Sequence, residues 1–211
     1  MDANRSIAVV DYGVGNIGSI CNMLKHIGVK SLVATVPADL DGVRGIVLPG
    51  VGHFMKAMER LTESGMAAAL RETASRGDIP ILGICLGMQL MCHSSEEGGV
   101  GGLGVIDAEV KRFIIPEGST LKVPHMGWSE VNIKREGTIL GDTGQRDPRF
   151  YFVHSYFVEC RDDRLIIGTS EFGSMFTSAF SKGNLIGVQF HPEKSHRYGV
   201  ELFKRFDGLT R

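Results

Sequence analysis

The stretch Pro80-Ile-Leu-Gly-Ile-Cys-Leu-Gly-Met-Gln-Leu-Met-Cys-His93 decides the fold. Its first five residues form a short apolar run opened by a proline, which reads as a buried strand. From Leu86 to about His93 the pattern turns helical. Between the two stands Gly83-Ile84-Cys85-Leu86-Gly87, a G-x-C-x-G sequence at a strand-to-helix junction, the sequence form of a nucleophile elbow. Such a turn is tight and strained, and side chains at the flanking positions would collide with the returning chain. It would lift Cys85 above the sheet edge and set its sulfur near a helix N-terminus, where the dipole favours thiolate. The competing reading is a buried, inert cysteine in a glycine-rich turn.

Upstream, the same strand-then-helix unit recurs. Ile7 to Val10 is an apolar, β-branched run, followed by the turn Asp11-Tyr-Gly-Val-Gly-Asn16. Ile17, Ile20, Cys21, Leu24 and Ile27 then recur at helical spacing, and Gly28 ends that helix. Val29 to Val36 reads as a second strand and Gly45 to Leu48 as a third, broken by Pro49-Gly-Val-Gly52. Phe54 to about Arg76 reads as helix, interrupted near Gly65. This alternation predicts a central, mostly parallel sheet with helices on both faces. After Gly98 the texture changes to short alternating segments, at 105–113, 128–133, 150–153, 157–160, 165–170 and 175–181. These read as antiparallel strands and hairpins added to the same sheet. Leu185 to Phe190 is a last apolar strand, and His196 to Phe206 a closing helix. With no repeat, low-complexity tract or linker in view, residues 1–211 are expected to form one α/β domain.

Composition excludes several function classes. The formal net charge is −1, with lysines and arginines scattered, so there is no nucleic-acid footprint and no polybasic membrane anchor. No apolar stretch approaches the ~20 residues needed to span a bilayer. The run before Asp11 is too short for a signal peptide. The four cysteines share no metal-ligand spacing and do not read as a disulfide framework, which points to a reducing, cytoplasmic setting. No pair of the seven histidines has zinc-site spacing, and neither metal nor cofactor is expected.

A thiol nucleophile needs a base, and the base an orienter. His191 follows the strand 185–190, at the end where sites in parallel sheets form. Pro192 favours extended geometry for His191. In extended chain residues i and i+2 project to one side, so Glu193 is expected to hold one ring nitrogen while the other faces Cys85. Acyl transfer also needs two donors for the developing oxyanion. In an elbow one is the N–H after the nucleophile, here Leu86, and the other comes from the loop after the third strand. That loop is Pro49-Gly-Val-Gly-His53, with Val51 the expected donor. A plain strand-to-helix turn is the alternative for that loop.

With these residues in place, the sequence resembles the class I, triad-type glutamine amidotransferases, and within them the glutaminase subunits of imidazole glycerol phosphate synthase. The resemblance covers nearly the whole chain. It is carried by VVDYGVGNIGSI, LPGVGHF, GICLGMQLMCHSSEEGG, GLGVIDAEV, KVPHMGW, YFVHSY and GVQFHPEKS. GICLGMQ and HPE mark the wider superfamily, and PHMGW and FVHSY the narrower branch. The resemblance implies a flavodoxin-like α/β fold and hydrolysis of L-glutamine through a Cys85 thioester. His191 would act as acid and base, and Glu193 as its orienter. It implies that Gln89 binds the glutamine, that Gly50 and Gly52 line the pocket, and that backbone groups of Ser155 and Tyr156 hold the amino-acid end. It implies delivery of ammonia to a (β/α)8-barrel cyclase subunit, across a face containing Asn16, Met126, Trp128, Tyr151 and Lys194. Read without the resemblance, Trp128 is a core residue.

Some stretches depart from the histidine-pathway pattern. Asn16-Ile-Gly-Ser19 has glycine where many members carry a larger, often basic residue. Glu193-Lys-Ser-His196 and FYFVHSY are similar to a paralogous branch that supplies ammonia for surface-polysaccharide sugars. The departures lie near the expected partner face and leave the three catalytic candidates intact. A γ-glutamyl-type thiol hydrolase and a catalytically silent regulatory module are the remaining alternatives.

Overall fold

The computed structural model describes residues 6–141 and 148–211. The chain opens with β1 (Ile7–Val10), α1 (Ile17–His26), β2 (Ser31–Ala34), β3 (Gly45–Gly50), α2 (Phe54–Glu63), α3 (Met66–Arg76), β4 (Ile81–Cys85) and α4 (Leu86–Leu90). It continues through β5 (Ser94–Ser95), β6 (Val100–Gly101), β7 (Ala108–Arg112), β8 (His125–Glu130), β9 (Asn132–Ile133), β10 (Arg149–His154) and β11 (Tyr156–Cys160). It closes with β12 (Ile166–Phe172), β13 (Ser174–Lys182), β14 (Leu185–Val188) and α5 (His196–Leu209).

The strands β2-β1-β3-β4-β14 pair in parallel in that order. Period-two alternation places their side chains on two faces. In β1, Ile7 and Val9 join one core with Ile20, Leu24, Leu202 and Phe206, under α1 and α5. Ala8 and Val10 join the other with Phe54, Leu61 and Leu70, under α2 and α3. Burial of each such Leu, Ile or Phe contributes about 1.5–3 kcal/mol, so both faces are fixed by the same short runs. The expected break near Gly65 is present: Gly65 adopts φ +76° between α2 and α3, a conformation glycine takes without the steric cost other residues meet. Pro49, expected to end the third strand, instead lies within β3 opposite Ile84, and pairing runs on to Gly50 opposite Cys85.

Beyond β14 the sheet turns antiparallel, through β13, then β11 and β7. One expectation is corrected here. The segments 128–133 and 150–153, read as strands of the main sheet, instead divide. β8 and β10 pair with each other as a separate two-stranded ribbon, and only β9 joins the main sheet, against β12. The reason is packing. β10 turns Phe150 and Phe152 into the core beneath α1 and α5, where Phe150 stacks on Phe190 with ring centroids 3.8 Å apart. The ribbon therefore lies across the C-terminal end of β14, and the His191 N–H donates to the Tyr151 carbonyl at 2.9 Å. Among the described residues, no helix is long and apolar enough to cross a membrane.

Candidate active site

Cys85 is the last residue of β4 and takes φ +54°, ψ −110°. A positive φ at a non-glycine residue is strained and persists only where the surroundings enforce it. Here they do. A Cβ on Gly83 would come within 2.8 Å of the Met88 backbone, and one on Gly87 would overlap the Leu48 carbonyl. The elbow is thus closed by backbone against backbone, as its glycine spacing predicts. Gly50 packs behind it, where a Cβ would stand 2.5 Å from the Tyr12 hydroxyl and 2.9 Å from the Leu86 Cβ. The Tyr12 hydroxyl in turn donates to the Pro49 carbonyl at 2.8 Å and props the loop that carries Val51.

His191 has φ −103°, ψ 95°, the extended geometry that a following proline favours. The chain then enters a 3-10 turn, Pro192–Lys194, rather than staying extended. Glu193 nevertheless reaches back, with its Oε1 2.8 Å from His191 Nδ1 and both side chains almost fully buried. The carboxylate oxygen accepts, so Nδ1 carries a proton and the neutral ring is held as the Nδ1–H tautomer, with Nε2 as its basic nitrogen. Burial disfavours the imidazolium, but the Cys85 sulfur and then Glu193 outweigh it and raise the His191 pKa to about 10. Among the described residues, Nε2 of this buried ring has no hydrogen-bond partner. A buried ring fixed by Glu193 at one nitrogen, with its other nitrogen beside a sulfur, is placed to take a proton from that sulfur and hand it on.

Both groups open on a cavity of about 310 Å³. Of the residues singled out in the sequence, Val51, Gly52, Leu86, Gln89, Ser155 and Tyr156 also line it. Glu193 and Gly50 stand one step behind. Four lining residues were not anticipated: Glu97, Pro124, Val153 and His154. Glu97 Oε2 also accepts the Phe54 N–H at 2.8 Å and so ties the cavity wall to the start of α2.

His125 and His154 were noted in the sequence only as members of motifs. They form a buried chain. The Tyr156 carbonyl can only accept, so His154 Nδ1, 2.8 Å away, carries the proton. His154 Nε2 then accepts from His125 Nδ1 at 3.1 Å, and His125 Nε2 accepts the Ser129 hydroxyl at 2.9 Å. Burial lowers both pKa values, to about 4 for His125 and about 3 for His154, so both rings are neutral at pH 7. Gln189 was read only as part of an apolar strand. It is fully buried, and Gln89 Nε2 donates to its Oε1 at 2.9 Å. A glutamine inside an apolar strand is itself a signal, because a buried amide needs partners.

The expected partner-face residues fall together in part. Trp128 and Tyr151 are cross-strand neighbours in the ribbon, with ring centroids 6.3 Å apart, and Lys194 Nζ lies 5.7 Å over the Tyr151 ring. Trp128 is 39% exposed and Met126 62%, so neither is a core residue. His196, at φ +46°, stacks on Trp128 at 5.5 Å. Asn16 precedes α1, which packs against the Pro192–Lys194 turn.

Comparison with known proteins bears on the same reading. A family model described as "Glutamine amidotransferase class-I" matches residues 8–207. A relative from Moorella thermoacetica named "Imidazole glycerol phosphate synthase subunit HisH" is 47% identical over 209 residues, covering 98% of this chain and 96% of its own. One from Methanococcus maripaludis, "Imidazole glycerol phosphate synthase subunit HisH 2", is 44% identical, covering 95% and 98%. A solved structure titled "Crystal structure of glutamine amidotransferase" superposes with TM-score 0.75 at 17% identity, covering 96% of this chain and 98% of that one. At that identity it bears on the fold alone.

Proposed function

The chain belongs to the class I glutamine amidotransferase family, and from that premise we propose that it is the glutamine-hydrolysing subunit of an imidazole glycerol phosphate synthase, with Cys85, His191 and Glu193 as its catalytic residues. The observation that carries the catalytic assignment is the strained Cys85 elbow beside a buried His191–Glu193 pair at one cavity. The Cys85 thiolate attacks the side-chain amide carbon of glutamine. The oxyanion that forms takes the N–H groups of Leu86 and Val51. Collapse breaks the C–N bond, and the His191 imidazolium protonates the departing ammonia. Neutral His191 then takes a proton from water, whose oxygen attacks the thioester, and glutamate leaves with the thiolate restored. Glu193 holds His191 in one tautomer and stabilises its charged form. No step calls for a metal or a cofactor.

The relatives' printed names place them in imidazole glycerol phosphate synthase, and their match over nearly the whole chain supports histidine biosynthesis as the pathway. The ammonia acceptor is then a (β/α)8-barrel cyclase subunit, docked on the face around Trp128, Tyr151 and Lys194 in a heterodimer. The four unpaired cysteines suit a cytoplasmic setting. The test is glutamate release from glutamine by the purified chain, alone and with a cyclase subunit and its ligand. Strong stimulation is expected. A folded, reduced chain with no stimulation would point to a different barrel partner.

A further inference from the structure

The Tyr156 carbonyl sets the polarity of a second chain of hydrogen bonds, running to the nucleophile. Gln89 Nε2 donates to that carbonyl at 3.0 Å and to Gln189 Oε1 at 2.9 Å. Both hydrogens of the Gln89 amide are thereby used. A flipped Gln89 would set its own oxygen against the Tyr156 carbonyl, two acceptors face to face. Gln189 must then turn Oε1 to Gln89, which leaves its Nε2 to the Cys85 sulfur, 3.8 Å away. Its own backbone is tied down as well, with the Gln189 N–H donating to the Ser178 carbonyl at 2.9 Å. A fully buried amide just past an apolar strand, with its oxygen on a cavity residue and its nitrogen on the reacting sulfur, is more than core filling.

We propose that Gln189 is a positioning residue of the glutaminase site, holding the Cys85 sulfur and the Gln89 amide in one arrangement. The role rests on the reading of Cys85 as nucleophile and of the cavity as the glutamine site. It has two parts. An N–H aimed at sulfur favours the charged thiolate over the thiol. Holding Gln89 by its nitrogen leaves Gln89 Oε1, which has no donor among the described residues, as a fixed acceptor for an N–H group of the substrate.

The two parts separate experimentally. The readout is peptide-resolved alkylation of Cys85 by iodoacetamide across pH, with and without glutamine, which requires no partner and no turnover. Gln189→Met removes both contacts. It should slow alkylation at pH 7 about tenfold, as expected for loss of a hydrogen bond to a charged group. It should also move the acid limb of the profile to higher pH and raise the glutamine concentration needed for protection. Gln189→Glu keeps an oxygen for Gln89 and sets a carboxyl oxygen where the N–H met the sulfur; as a carboxylate it only accepts and repels the thiolate. It should shift the limb while leaving protection by glutamine close to that of the unaltered chain. It also keeps the test open if Gln189→Met fails to fold, which thermal unfolding would reveal. Folded variants with unchanged profile and unchanged protection would overturn the positioning role. If glutamine does not slow alkylation of Cys85 in the unaltered chain, the glutamine reading itself falls, and this role falls with it.

Discussion

On the parallel side of the cavity, backbone sets the geometry. Cys85 is held at φ +54° because Gly83 and Gly87 let β4, α4 and β3 close on one another without an intervening side chain. Between that wall and the ribbon, side chains set it. Ser129, His125 and His154 pass a hydrogen bond from β8 to the Tyr156 carbonyl, and Gln89 and Gln189 pass another from that carbonyl to the sulfur. The first wall has no room for a Cβ at Gly83 or Gly87, whereas the second depends on the protonation and orientation of uncharged polar groups. A substitution should therefore act through sterics on one side and through titration or hydrogen bonding on the other.

The largest expected effect is at the reacting sulfur. Cys85→Ala should abolish glutamate release, by analogy with nucleophile losses of about 10⁶-fold, while unfolding by urea stays close to that of the unaltered chain. Retained turnover would sink the nucleophile assignment. Glu193→Gln should cost one to two orders of magnitude less than loss of His191, because orientation is lost and the base is kept. Since Glu193 helps to raise the His191 pKa to about 10, the alkaline limb of the rate profile should also move to lower pH in that variant. Equal losses at the two positions, with an unmoved limb, would count against their division of roles.

Next comes the backbone wall. Gly87→Ala puts a methyl onto the Leu48 carbonyl, and β3 and α4 must separate to admit it. A destabilisation of about 3 kcal/mol or more is expected, read from denaturant midpoints. A variant of unaltered stability would mean that the elbow has slack, and the contrast between the two walls would weaken. Trp128→Ala, on the exposed face of the ribbon, should leave stability nearly unchanged and weaken association with the cyclase subunit by about 2 kcal/mol, roughly 30-fold. An unchanged dissociation constant would remove Trp128 from the partner face.

The smallest effect tests the ribbon wall by pH. His125 and His154 are neutral in the folded chain, with pKa values lowered to about 4 and about 3. Below the unfolded value of about 6.5 the unfolded chain binds protons that the folded chain refuses. Their contribution to stability is thus fully present above pH 6.5 and declines as pH falls, at a rate approaching 1.4 kcal/mol per unit for each ring. Between pH 6.5 and 5 the carboxylates remain ionised in both states, so the decline in that window belongs to histidine. Replacing His154 with Gln should about halve it, because His125 keeps its share, as followed by urea midpoints at pH 7 and pH 5. A slope left unchanged by the replacement would show that the buried pair is not what the acid attacks.

Much of this molecule is written locally. The short continuous apolar runs specified the parallel strands, and the G-x-C-x-G spacing specified the elbow, because burial on both faces and backbone sterics act over a few residues and leave a fixed signature in sequence. His191 and Glu193 were legible for the same reason: proline restricts its predecessor, and the partner lies two residues on. The reach was anticipated even though the chain takes a 3-10 turn instead of an extended path. Tertiary structure alone decided the rest. The segments 125–130 and 149–154 alternate like any half-buried strands, and nothing in that alternation says which sheet they join. Burial of Phe150 and Phe152 against Phe190 assigned them to a ribbon of their own. His125 and His154 are 29 positions apart, and Gln89 and Gln189 are 100 apart. A buried polar residue announces in sequence only that it needs a partner; which partner it finds is fixed when distant elements pack, since a hydrogen bond forms over about 3 Å of space whatever the separation along the chain.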